Sequence, residues 1–255
     1  MLDEERHTRY DLDYYSFKSI WPPIFRFFSK DYPSGDFHLL DVGGGAGYFA
    51  DYLLAQYPAC RVTIFDLSRE LLARNRPDPR KRLVLGDAVR LVESCPSVDV
   101  DVVSFNFVLH HLLAGDERGS WELRRRVLRQ AAGLLRKGGR LLVIEALYRG
   151  IIHEDLPSVL IYRLTRSRRL APLCRRFGSG AAGQGVLFQS GGSWRRMFTG
   201  IDLEVVDSYV CGAWEINPIL KIPLNIASVR TGLFWCSPGR IAQRKDPLRL
   251  PEAEG

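Results

Sequence analysis

The sequence predicts an α/β protein, with a mostly parallel sheet covered by helices on both faces. Three observations predict it. Residues 39–47, LLDVGGGAG, read as an apolar strand carrying an acid near its end and running into a glycine-rich turn. From residue 37 onward, apolar runs of strand length alternate with segments of helical periodicity, the pattern of successive βαβ units. The chain has 255 residues, 46% of them hydrophobic, enough to bury a full core. Crossovers between its parallel strands should be right-handed.

The elements follow in order. Residues 1–35 are strongly aromatic, and helical stretches interrupted at Pro22 and Pro23 fit them best. They read either as a helical cap packed over the sheet edge or as a lid over a pocket, with Tyr14 or Tyr15 facing a ligand. Strands are expected at 37–42, 61–66, 82–85, 101–105 and 140–144, and helices at 48–57, 69–75 and 122–135. Lys137-Gly138-Gly139 reads as the stop signal of the last of these helices. Residues 36–146 thus form a core.

The rhythm breaks at 147–200, which is arginine-rich (Arg163, Arg166, Arg168, Arg169, Arg175, Arg176) and then glycine-rich. We read it as a substrate-side insertion with a helix at 156–164, a mobile loop, and a short helix at 193–198. Late strands at 203–209 and 231–236 fall within a segment, 201–240, that completes the sheet. Residues 241–255 read as a flexible tail.

Composition excludes several classes. No apolar run is long enough to span a bilayer, and the charged N-terminus is no secretory signal, so a cytoplasmic protein is expected. Cys60, Cys95, Cys174, Cys211 and Cys236 form no CxxC pair, which argues against a zinc site and for reduced thiols. No acid and histidine cluster has metal-ligand spacing, so no metal is expected. The net charge of +7 reflects either coding bias toward arginine or an acidic partner: nucleic acid, an anionic membrane surface or an acidic carrier protein.

The glycine turn alone does not name a ligand, because dinucleotide-binding folds also have a glycine loop and an acid ending the next strand. Here that acid is Asp66, able to accept both hydrogen bonds of a ribose diol. Asp41, just before the glycines, would repel pyrophosphate but suits a ligand ammonium. Asp87, after the third strand, could bind the exocyclic amine of an adenine. Residues 104–112, SFNFVLHHL, put a polar and aromatic edge at the sheet's carboxyl end. An adenosine ligand with an amine and no phosphate answers all of these. Each acid also has an ordinary reading as a solvated strand-end or turn residue.

At this point the chain resembles the class I S-adenosylmethionine-dependent methyltransferases, through LLDVGGGAG, VTIFDLS, LVLGDA, DVVSFNFVLHHL and LRKGGRLLVIE in family order, over residues 37 to 145. The resemblance implies a Rossmann-like, doubly wound, seven-stranded sheet with its last strand antiparallel, and S-adenosylmethionine as cofactor. It implies that Asp41 and Gly43 serve the methionine portion, with Gly45 lining the same loop. Asp66 would hold the ribose and Leu67 flank the adenine. Asp87 and Ala88 would read the adenine, and Asn106 and Phe107 would line the sulfonium side.

Methyl transfer from a sulfonium needs chiefly in-line placement, but a carbon or hydroxyl nucleophile can also need a base. His111 and His110 are the candidates, with Glu145 another; the His-His pair also reads as a structural feature of a helix start. Residues 106–109, NFVL, do not match the Asn-Pro-Pro-Tyr-like motif of adenine- and amide-modifying methyltransferases, and no nucleic-acid partner is expected. The expected substrate is a small, largely hydrophobic molecule methylated at oxygen or carbon, as in secondary-metabolite or quinone-like pathways. Arginines 163–176 would dock a carrier protein or an anionic head group, or form a solvated helix face. A homodimer is kept open. The other readings are a methyltransferase-like binding or assembly module without catalysis, and an NAD-dependent reductase.

Overall fold

A computed structural model of the chain describes residues 19–95 and 99–239. Helix α1 (Trp21–Asp31) precedes β1 (His38–Val42), α2 (Tyr48–Gln56), β2 (Arg61–Asp66), α3 (Arg69–Leu72), β3 (Lys81–Leu85) and α4 (Leu91–Ser94). Then come β4 (Val100–Asn106), α5 (Glu117–Gly133), β5 (Leu135–Gly150), α6 (Leu156–Arg166), α7 (Ala171–Arg176) and α8 (Gly191–Thr199). The chain closes with β6 (Leu203–Ala213), α9 (Pro218–Lys221) and β7 (Ile226–Pro238).

The strands form one seven-stranded sheet in the order β3-β2-β1-β4-β5-β7-β6. The first five are parallel, and β7 runs antiparallel to both β5 and β6. β1 is an interior strand, with β2 on one side and β4 on the other, so the chain reverses its direction of travel across the sheet between them. In open α/β sheets, ligands bind at such a switch point, outside the strands' carboxyl ends.

Strand alternation divides the core. Leu39 of β1 joins Ile24, Phe27 and Phe28 of α1 and Phe49 and Leu53 of α2 on one face. Leu40 and Val42 point the other way, to Val127, Leu128 and Ala131 of α5 and Trp194 and Phe198 of α8. The same alternation puts Asp41 on the α1 side, in register with Ser104 of β4. On α1, Asp31 accepts hydrogen bonds from Trp235 Nε1 (2.8 Å) and Arg140 Nε (2.7 Å), tying the helix to β7 and β5.

Several boundaries differ from the sequence reading, for identifiable reasons. Pro22 and Pro23 lie in the first turn of α1, where the missing N–H groups cost nothing, so they open the helix and do not interrupt it. α5 begins at Glu117, capped by Asp116, whose side chain accepts from Gly119 N at 2.6 Å; its first turns are polar and gave no apolar period. Lys137-Gly138-Gly139 is not the helix stop but lies in β5, where the register with β4 shifts between Val100 and Val102. β5 continues to Gly150 against β7, so the insertion leaves the sheet later than 147. After α6 the chain forms α7 where a mobile loop was expected. Tyr14 and Tyr15 lie outside the described residues, as does the segment 240–255.

Phe28 is fully buried between Phe37, Tyr57 and Trp235. Phe28→Ala should therefore lower unfolding stability by about 3–5 kcal/mol, as measured by urea titration.

Candidate cofactor and active site

The glycine loop is a packed support more than an anion cradle. Gly43, Gly45 and Gly47 all have positive φ, the left-handed region that side chains disfavour. A Cβ on Gly43 would collide with Val108, and one on Gly47 with the Asn75 side chain. At Gly45 the space is open, with only Leu71 and Asp66 within reach. The amides are engaged internally: Gly43 N donates to Phe65 O, Gly47 N to Gly44 O, and Gly45 N to Asp66 Oδ2. A pyrophosphate would find those three N–H groups already occupied, so the loop does not suit a dinucleotide.

Asp66 ends β2 half-buried. Each carboxylate oxygen holds one backbone donor, Gly45 N on Oδ2 (2.9 Å) and Ser68 N on Oδ1 (2.8 Å), which leaves further lone pairs for a vicinal diol. Next to it Leu67 is 71% exposed, a large apolar side chain with no cover. Asp87 is exposed and caps the 3-10 turn Ala88–Arg90 by accepting from Val89 N at 2.9 Å; Ala88 is partly buried behind it. Open glycine backbone, a diol acceptor and an uncovered apolar side chain fit an adenosine.

Asp41 sits beneath this surface, fully buried. Ser104 Oγ (2.6 Å) and Asn106 Nδ2 (3.0 Å) both donate to its Oδ1, while Oδ2 has no partner among the described residues and lies under Gly44. In this conformation Asp41 braces the loop, and Asn106 is held by it. Burial pushes its carboxyl up to about 6, with the two hydrogen bonds pulling the other way.

Beyond Asn106 the backbone bends sharply. Phe107 has φ 54, and its N–H donates to Ile144 O. Its ring lies 6.4 Å from that of His110 and 6.1 Å from that of Trp214. The 3-10 turn Leu109–His111 then carries both histidines. His110 is buried, with Nδ1 2.7 Å from Oε2 of Glu145. The other oxygen of Glu145 accepts from Leu109 N (2.8 Å) and His110 N (3.3 Å). The 1%-exposed carboxylate therefore fixes both the turn and the ring. With an ionised carboxylate on Nδ1, that nitrogen carries the proton, and neutral His110 has its lone pair on Nε2. His111 is exposed, its ring 4.2 Å from that of His110.

Three supporting residues escaped the sequence reading. Arg124 is fully buried, donating to His110 O and Leu112 O; burial lowers it to about 10, opposed by the nearby charge of Glu145. The signal was present: Arg124 shares a helical stripe with Val127, Leu128 and Ala131, so a face count would have placed it inside. Val108 fills the space that Gly43 leaves. Phe188, from the insertion, lies 4.8 Å from His110 and 4.4 Å from Tyr148, and Leu187 N donates to His110 O. Among the described residues, no cluster of three metal-ligating side chains occurs. A separate cleft of about 520 Å³ opens between the start of α5 and α6, and its lining, including Glu117, Tyr162 and Arg163, shares nothing with this site.

Residues 40–141, which span β1 to the first part of β5 of this Rossmann-like sheet, match a family model described as a methyltransferase domain. It is 34% identical over 115 residues to the ubiquinone/menaquinone biosynthesis C-methyltransferase UbiE of Paracoccus denitrificans, covering 42% of each chain. It is 29% identical over 114 residues to acetylserotonin O-methyltransferase of Gallus gallus, covering 43% of this chain and 30% of that one. The match spans less than half the length of either curated relative. In fold it is similar to a methyltransferase-like structure from Bacillus halodurans C-125, with TM-score 0.56 at 15% identity, over 84% of this chain and 97% of that one.

The unfolded carboxyl of an aspartate titrates near pH 3.9, below the raised folded value of Asp41. Its protonated form thus favours the folded state, and that contribution is lost as pH rises through about 6. Asp41→Asn keeps an oxygen for Ser104 and Asn106 without the charge. Relative to wild type, its Tm should rise between about pH 4 and pH 7, by the equivalent of at most about 2–3 kcal/mol. A pH-independent difference would remove this account.

Proposed function

We propose that this protein is an S-adenosylmethionine-dependent methyltransferase acting on an oxygen or carbon of a small, largely hydrophobic molecule, with His110 as the base. The observation that carries the cofactor assignment is the acceptor geometry at Asp66, beside open backbone at Gly45 and uncovered Leu67. When bound, the cofactor supplies an electrophilic methyl group on a sulfonium.

The chain's own part is to hold and deprotonate the acceptor. Asp66 holds the ribose and Leu67 covers the adenine edge, while Asp87 and Ala88 flank the base. Gly43 and Gly45 line the methionine portion, and Asn106, fixed by Asp41, borders the sulfonium side with Phe107. His110 Nε2 takes the proton of an acceptor hydroxyl or activated carbon, and Glu145 stabilises the imidazolium that forms. His111, exposed beside it, is a surface neighbour in this reading. Phe107, Phe188, Tyr148 and Trp214 give the acceptor an apolar wall. Both curated relatives are named for methyl transfer, one to carbon and one to oxygen. An acidic carrier, a homodimer and a cytoplasmic location remain proposals of the same reading.

Calorimetry should give binding of S-adenosylmethionine and of its demethylated product but not of NADH, with Asp66→Ala weakening it by about tenfold or more. NADH binding in their place would reject the assignment. With phenols and hydroxyquinones as acceptors, His110→Ala should lower kcat by about 10²–10⁴-fold at unchanged cofactor affinity. His111→Ala should retain most turnover. The reverse pattern would transfer the base to His111.

A further inference from the structure

We propose that the outer face of α7, with the turn that precedes it, docks on anionic lipid bilayers. The charge distribution points to an anionic surface. Residues 156–201 contain eight arginines and no aspartate or glutamate. Arg163 and Arg196 have carboxylate partners in Glu117 and Asp155. Arg168, Arg169, Arg175 and Arg176 are exposed and, among the described residues, pair with no carboxylate. Four uncompensated guanidinium groups within nine residues are a local field that water and salt alone must screen.

The apolar pattern distinguishes a bilayer from a purely acidic partner. Ala171 and Cys174 of α7 face inward and are buried. Leu170, Leu173 and Phe177, spaced i, i+3, i+7, make a second stripe that is 41%, 49% and 43% exposed. An exposed apolar stripe flanked by arginines is the composition of a helix lying in a membrane interface, with guanidinium groups at lipid phosphates and apolar tips at the acyl boundary. α7 has only six residues, too short to give a protein partner the roughly 800 Å² per side of a stable interface. A second copy would bring like charges together.

The placement has a functional consequence. The chain that leaves α7 returns through Val186, whose N–H donates to Thr165 Oγ1, and Leu187 and Phe188, which contact His110. Docking through α7 would set the wall of the site near the depth where apolar acceptors collect.

The test uses the purified full chain, sedimented with vesicles of phosphatidylcholine alone or mixed with phosphatidylglycerol, without cofactor or acceptor. Its outcome is thus independent of the methyltransferase assignment. Wild type should partition onto the mixed vesicles only, and less as salt rises. Replacing both arginines, Arg175→Ser with Arg176→Ser, should weaken partition by about 30-fold. Leu173→Ser with Phe177→Ser should weaken it several-fold and leave a remainder that salt abolishes. Circular dichroism should show both variants folded, since all four side chains are exposed. Equal partition of wild type and the arginine variant would overturn the proposal. So would binding to immobilised polyglutamate with none to vesicles, which would mark an acidic protein as the partner.

Discussion

A carboxylate removed from water joins the two directions of this sheet where they part. Asp41 belongs to β1, and the groups that hold it, Ser104 and Asn106, belong to β4. The in-register pairing of Asp41 with Ser104 makes the contact, and the two-residue period of a strand brings Asn106 to the same side. The glycine loop rests on this group, with no room for a side chain at Gly44. An uncompensated buried charge would be expensive, and the raised titration of Asp41 is the form that expense takes.

The opposite face of the same strands carries a second polar group in an apolar setting. Glu145 lies within β5, one residue beyond Ile144, which pairs with Asn106. It binds two backbone amides and one imidazole of the 3-10 turn, and Arg124 supports that turn from α5. The charges of the buried Glu145 and Arg124 oppose each other across this turn, on which the buried His110 also sits. Removing any one would leave the others unbalanced.

The parallel half of the fold was legible because its strands β1, β2 and β4 are short, largely buried and separated by turn residues. The positions of Asp41 and Asp66 in the sheet were legible because each lies in the carboxyl-terminal part of a strand, which the strand pattern locates. What sequence did not reveal depends on partners far along the chain. The apolar period said nothing of α5's first two turns, because they are polar and held by an Asp116 cap and by Arg124 turned inward. The great length of β5 and β7 comes from pairing with each other, and neither strand signals its end in isolation. The hydrogen bonds of Asp41 to Ser104 and Asn106 of β4 were not legible, because only the strand register brings those residues beside it. The choice between His110 and His111 likewise rests on Glu145, thirty-five residues away.

The attachment of residues 183–188 also bears on how this part of the chain can vary. Gly183 N and Val186 N are bonded to Thr165 of α6, and Leu187 N to the carbonyl of His110. The segment is thus sewn through its own backbone N–H groups to the carbonyl and hydroxyl of Thr165 and to the turn that carries His110. Side chains along it are free to vary in size and polarity while the seam holds, whereas inserting or deleting a single residue there would shift the seam and the imidazole together. Variation of this segment should therefore proceed by exchange of residues at constant length.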